Sequence, residues 1–136
     1  MDLALQDDAI DVFPIAFLNV FFGPGDAPSI NLANVRIFLI VLRYIYLHFY
    51  VWSQTYNPTD NATFPGTTLP NCSSLATDIV ACQAKGKIVT LSLGGATGAV
   101  GFQSDSQATT FGQTIWDMFL GGTSSTRPFG NAILDG

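Results

Sequence analysis

Lys87-Ile-Val-Thr-Leu-Ser92-Leu-Gly94-Gly95 is the stretch on which the fold turns. A β-branched and aliphatic run meets two consecutive glycines, so it reads as a short strand ended by a turn. Working backwards, Gly86 closes a helix as its C′ residue, and Ser73 or Ser74 caps that helix, which carries Leu75, Ile79 and Val80. Residues 57–72 before it are polar and proline-rich and read as a loop. Further back, Ile10-Asp-Val-Phe-Pro-Ile-Ala-Phe-Leu-Asn-Val-Phe-Phe22 is almost continuously apolar and stops at Gly23-Pro24-Gly25. It reads as a strand buried on both faces, with its ladder starting after Pro14. Working forwards, Ser104 or Asp105 caps a second helix in which Phe111, Ile115, Met118 and Phe119 recur at helical spacing, and Gly121-Gly122 ends it. Asn131-Ala-Ile-Leu-Asp135-Gly136 then begins a third strand. Strand, helix, strand, helix, strand is the order of a parallel α/β sheet.

Composition narrows the chemistry. The chain has 136 residues, enough for one domain, with 5 basic and 10 acidic side chains and a net charge of −5. No basic stripe exists to hold phosphates, which argues against nucleic acid and anionic membranes. With 48% apolar residues it is no solvated tail. Every acid is Asp, so no Glu is available as a general acid, and the single His48 rules out His-based triads and multi-His metal sites. No cofactor or metal is expected, nor any specific oligomer. The start, Met1-Asp-Leu-Ala-Leu-Gln-Asp-Asp8, does not read as a signal peptide. Asn61-Ala-Thr63 and Asn71-Cys-Ser73 are N-glycosylation sequons. Cys72 and Cys82 lie ten residues apart and could be a disulfide, two buried thiols or unrelated.

One segment stands apart. In residues 35–54, fifteen of twenty side chains are Val, Ile, Leu, Phe, Tyr or Trp. It is long enough for a transmembrane helix, although Arg43 near its middle costs ~2.5–3.5 kcal/mol on the insertion scale. A buried helix or strand pair is the second reading, and periodicity does not separate the two. A translated intron or apolar insert is the third and the preferred one. These residues come from T- and A-rich codons, Val35-Arg36-Ile37 can be encoded by the donor-like GTG-CGT-ATA, and Gln54 by the acceptor-like CAG.

With 35–54 set aside, four stretches resemble the hevamine-like (class III) chitinases of glycoside hydrolase family 18, the fungal ones in particular. Gln6-Asp-Asp-Ala-Ile-Asp-Val-Phe-Pro-Ile-Ala-Phe17-Leu-Asn19 is similar to the second barrel strand, and Ile30-Asn-Leu-Ala-Asn34 with Asn57-Pro to its loop. Lys87 to Gly95 resembles the third strand with an S-x-G-G motif, and Ile133-Leu-Asp135-Gly136 the start of D-G-x-D-x-D-x-E.

The resemblance implies an α/β fold, a partial (β/α)8 barrel of roughly strands 2 to 4 with their helices, and a site at the C-terminal strand ends. Residues 1–136 would then be part of a catalytic domain. It implies a secreted endochitinase acting on the β-1,4 N-acetylglucosamine linkages of chitin or chitooligosaccharides by substrate-assisted, retaining catalysis. Asp135 would be the first motif Asp, a member of a proton-sharing carboxylate chain, with Ser92 supporting it. Phe17 would line the floor of the sugar site, and Gly94, Gly95 and Ala96 would let backbone approach the sugar. The motif's Glu lies six residues beyond Gly136, so the 136 residues are expected to be inactive. The rivals are a non-catalytic carbohydrate-binding relative and a small protein anchored in a membrane through 35–54. The family's usual half-cystine partners for Cys82 and Cys72 fall at Leu5 and Tyr56, which leaves both thiols orphaned. A barrel takes ~250 residues, so an isolated sector with open edges is expected to be marginally stable and to aggregate.

Overall fold

The computed structural model describes the backbone over residues 10–40, 49–56 and 61–136. Leu5, Gln6, Arg43, His48 and Asn57, to which the sequence reading gave roles, lie outside the described residues. The elements in order are β1 (Val12–Val20), β2 (Ser29–Ile30), β3 (Leu32–Ile40), β4 (Phe49–Tyr56), α1 (Ala76–Ala84), β5 (Ile88–Leu93) and α2 (Asp105–Phe119). Short 3-10 turns occupy Pro24–Asp26 and Ser73–Leu75.

β1 and β5 lie side by side in parallel, from Val12 opposite Ile88 to Leu18 opposite Leu93. β2 adds to the other edge of β1, antiparallel, so the sheet order is β2-β1-β5. The chain then continues beyond β5 along its free edge: Asp135 N donates to Val89 O at 2.8 Å and Leu91 N to Gly136 O at 2.7 Å. Residues 133–136 therefore begin a further strand, as their sequence suggests.

One face of this sheet carries the core. Leu18, Ile30, Leu69, Ile79 and Val89 are fully buried together with Phe119 and Phe129, whose rings meet edge-on at 6.2 Å. Side chains of this size contribute ~1.5–3 kcal/mol each when withdrawn from water. α1 supplies Ile79 and Cys82, and α2 supplies Phe111, Met118 and Phe119, each set spaced to fall on one helical face. The opposite face is open: Val12 is 47% exposed, Ile88 46%, and Pro14 lies exposed between them. The expectation that 10–22 is buried on both faces is thus corrected, because no described element packs on that side.

Pro14 also lies inside the ladder, opposite Thr90, rather than ahead of it. Asp11 O accepts from Ile88 N at 2.8 Å, so up to Ile15 the odd-numbered residues of β1 turn their backbone groups toward β5. Pro14 turns its nitrogen to the opposite edge, where β2 reaches only Leu18 and Val20. No ladder bond is lost.

The helix ends follow simple chemistry. Gly86 takes φ +77°, its N–H donates to Gln83 O and the Lys87 N–H to Cys82 O, a Schellman close. Gly86→Val forces a β-branched side chain into a left-handed backbone, and a urea titration is expected to show about 1–2 kcal/mol less stability. Ser104 caps α2, its hydroxyl accepting from Gln107 N at 3.2 Å. Neither Ser73 nor Ser74 caps α1 with its side chain. The helix is preceded by the Ser73–Leu75 turn, and the Asn71 carboxamide accepts from Ser73 N at 3.0 Å instead.

β3 and β4 pair antiparallel as a separate two-stranded sheet. The described parts of 35–54 are strand, which removes the reading of this segment as one transmembrane helix. No helix among the described residues is long and apolar enough to cross a membrane.

Candidate functional site

The C-terminal ends of β1 and β5 converge on Phe17. Ala16 pairs with Ser92 and Leu18 with Leu93, so β1 spends two residues where β5 spends one. The extra residue is Phe17, and the bulge re-aims its side chain. Its backbone is held from the other side: Phe17 N donates to Asn31 O at 3.1 Å and Asn31 N to Phe17 O at 3.0 Å. The Ala16–Phe17 peptide is cis. The ring is left 44% exposed at the strand end.

Gly94 and Gly95 lie against that ring. Both have positive φ, +102° and +95°, a backbone that glycine adopts at no steric cost. A Cβ on Gly95 would stand 3.2 Å from Phe17 Cγ, so the bare backbone is what lets the loop close on the ring. The loop is pinned by Gly94 N to Leu18 O at 2.8 Å and by Ala99 N to Asn19 O at 2.8 Å. Between them Gly98 passes so near the Gly94 and Asn19 carbonyls that a Cβ would lie 2.8 Å from the first. Ala96 is exposed on this loop, and Ser92 is half-buried on β5 just below it.

The candidate acid, Asp135, sits beside β5 on the segment 133–136. Asp135 Oδ2 accepts from Val89 N at 2.7 Å and from Gln83 Nε2 at 3.1 Å. Gln83 also donates to Ile133 O at 2.7 Å, so the last turn of α1 clamps residues 133–135 in place. Val89 is three residues before Ser92, or ~10 Å along a strand. The structure therefore brings Phe17, Gly94 and Gly95 together, with Ser92 beneath, and turns the Asp135 carboxylate toward Val89 and Gln83 rather than toward Ser92. Gln83 and Asn31 hold the site and had not been singled out. Asn31 lay within the quoted Ile30-Asn-Leu-Ala-Asn34 stretch, while a glutamine on a helix gives no local sign of its distant partners.

Neither cysteine is bonded to the other. Both are buried free thiols, and burial pushes the Cys72 thiol up to about 12. At neutral pH it stays protonated and packs as a small apolar group. Asn71 is exposed and Asn61 half-buried.

An exposed aromatic face beside a glycine backbone, at the C-terminal ends of parallel strands, suits a ligand with one apolar face and a rim of hydroxyls. No family model matches the chain. The Chitinase 1 of Rhizopus niveus is 42% identical over 131 residues, 96% of this chain and 22% of the relative. The crystal structure of ICChI chitinase from Ipomoea carnea superposes with a TM-score of 0.67 at 31% identity, covering 98% of this chain and 38% of that one. Over nearly its whole length the chain is similar to a sector of the glycoside hydrolase family 18 chitinases. A xylanase and α-amylase inhibitor protein, solved as a complex with trehalose, has the same fold at 26% identity and a TM-score of 0.62, covering 99% of this chain and 37% of that one.

The chain thus spans 22% to 38% of the length of these relatives. Within a family 18 barrel, β1 and β5 with α1 and α2 are consecutive βα units, and 133–136 opens the next. The uncovered face of β1 and β5 is the one a closed barrel turns inward.

Proposed function

We propose that this chain provides the recognition floor of an endochitinase that hydrolyses the β-1,4 N-acetylglucosamine linkages of chitin. The observation that carries the reading is the Phe17 ring, set by a bulge at the strand ends and lined by Gly95. A pyranose ring lays its apolar face on the phenyl ring, and its hydroxyls and acetamido group meet backbone groups of Gly94, Gly95 and Ala96. Ser92 lies beneath the sugar. Asp135 opens the acidic motif, and two hydrogen bonds to its Oδ2 hold the side chain toward β5. In the substrate-assisted mechanism a Glu protonates the leaving oxygen while the sugar's acetamido oxygen attacks the anomeric carbon. The 136 residues contain no Glu, so on their own they bind and do not cleave. The protein acts outside the cell, on wall or dietary chitin. Residues 1–136 are part of one catalytic domain, with 35–54 an insert of intronic origin.

The test is retention of the folded chain on chitin beads and its affinity for chitooligosaccharides. Phe17→Ala is expected to weaken binding by about tenfold, equivalent to ~1.4 kcal/mol, with an unchanged circular dichroism spectrum. Turnover of chitooligosaccharide by the purified chain, or equal binding by the variant, counts against the reading.

A second reading, binding without catalysis, draws support from the neighbouring inhibitor protein solved with a disaccharide. Inhibition of a xylanase or an α-amylase by the purified chain would favour it; the chitinase reading expects none.

A further inference from the structure

We infer that Asn71 is an N-glycosylation site and that Asn61 is not, so the chain carries one glycan rather than two. The two sequons face each other across a small hairpin. Thr63 and Pro70 form an antiparallel bridge, Phe64 N donates to Leu69 O at 3.0 Å, and Asn71 N donates to Ala62 O at 2.8 Å. In this register Asn71 faces Ala62 and Asn61 faces Cys72, so side-chain alternation puts Asn71 on the outer face and Asn61 on the face that Cys72 turns into the core.

The two asparagines are not equivalent. Asn61 is half-buried and engaged with a neighbour. Asn71 is exposed, and its Oδ1 accepts from Ser73 N at 3.0 Å. That bond fixes the carboxamide and leaves Nδ2, the atom to be modified, without a partner among the described residues. It also draws the third sequon residue, Ser73, which is exposed as well, close to the carboxamide. The residue between them anchors the segment from inside. Cys72 is fully buried, its N–H donates to Pro128 O at 2.9 Å and its thiol to Pro70 O at 3.6 Å. With the middle residue held in the core, the acceptor asparagine is presented outward.

The donor is an oligosaccharide linked through pyrophosphate to a membrane lipid. Nδ2 attacks the anomeric carbon, and the new C–N bond forms as the bond from that carbon to the phosphate oxygen breaks. The lipid pyrophosphate leaves, and the displaced amide proton passes to a carboxylate of the transferase. This inference does not use the sugar-binding floor, so its failure would leave the chitin reading where it stands.

The experiment is translation of the full chain behind a cleavable secretory leader in the presence of microsomes, followed by endoglycosidase treatment. A single glycosidase-sensitive mobility step is expected. It should persist in Asn61→Gln and Ser73→Thr and vanish in Asn71→Gln and Ser73→Ala. Ser73→Ala keeps the backbone N–H that holds the carboxamide, so it removes the hydroxyl without undoing the turn. No step at all, two steps, or a step that survives Ser73→Ala overturns the inference.

Discussion

Arg127→Met is expected to cost at least about 3 kcal/mol of folding stability, read as a fall in the urea midpoint. The guanidinium has five N–H groups, and each finds a backbone carbonyl. Nε donates to Gly130 O at 3.2 Å, one terminal nitrogen to Asp117 O at 2.6 Å and Gly122 O at 3.1 Å, and the other to Leu120 O at 2.8 Å and Ala132 O at 3.3 Å. Asp117 and Leu120 stand at the C-terminal end of α2, where unpaired carbonyls gather partial negative charge. One side chain therefore caps the helix and ties residues 122–132 back onto it. Methionine replaces the apolar stem and strands the carbonyls in a partly buried place. Against a typical total of ~5–15 kcal/mol the loss is large. Arg127→Lys keeps the charge but offers three donors without the planar fork, so an intermediate loss is expected. A loss below about 1 kcal/mol for the methionine variant would mean that water replaces the fork without difficulty.

Deleting residues 35–54 is expected to leave the parallel sheet intact and to raise the soluble yield severalfold. The pairing of β3 with β4 sets Val35 opposite Gln54 and, below them, Leu32 opposite Tyr56. The first and last residues of the segment are therefore partners, and the chain returns to where it left. Joining Asn34 to Thr55 keeps the Leu32–Tyr56 pair and closes it with Ala33-Asn34-Thr55, a three-residue loop of a common hairpin length. Asn suits the left-handed position such a loop needs. The deletion removes fifteen large apolar side chains while leaving β1, β5, α1 and α2 untouched. An unchanged far-UV spectrum per folded residue, an unchanged unfolding midpoint and a higher soluble fraction are the expected readings. Loss of cooperative unfolding would show instead that the hairpin is integral to the sheet.

That segment also shows where reading a sequence stops. Residues apolar at every position satisfy helix and strand alike, so 35–54 could not be assigned from periodicity, and only the register of the hairpin revealed that its ends meet. The parallel pair was legible, because Lys87 to Gly95 and residues 10–22 end in unmistakable breakers and a helix closed by Gly86 precedes the second of them. Gly86 and Ser104 were legible for the same reason: caps are local. Pro14 was misread because its effect depends on which edge its nitrogen faces, a fact of register. Ser73 and Ser74 were misread as caps because the chain enters α1 through a 3-10 turn begun by Asn71. Arg127 left no trace, since its partners are carbonyls, which every residue has. In the candidate site, Phe17 and the glycines were named from sequence, whereas the bulge that turns the ring outward follows from two neighbouring segments pairing with β1 out of step.

That bulge carries an evolutionary corollary. Everything that seats the Phe17 ring comes from Asn31, Ser92, Leu93 and the loop that follows, all within one contiguous third of a barrel. Under the proposed function, holding a polymer and cutting it are then separable inheritances, encoded in successive stretches of a gene. A lineage can discard the blade and keep the grip without redesigning it.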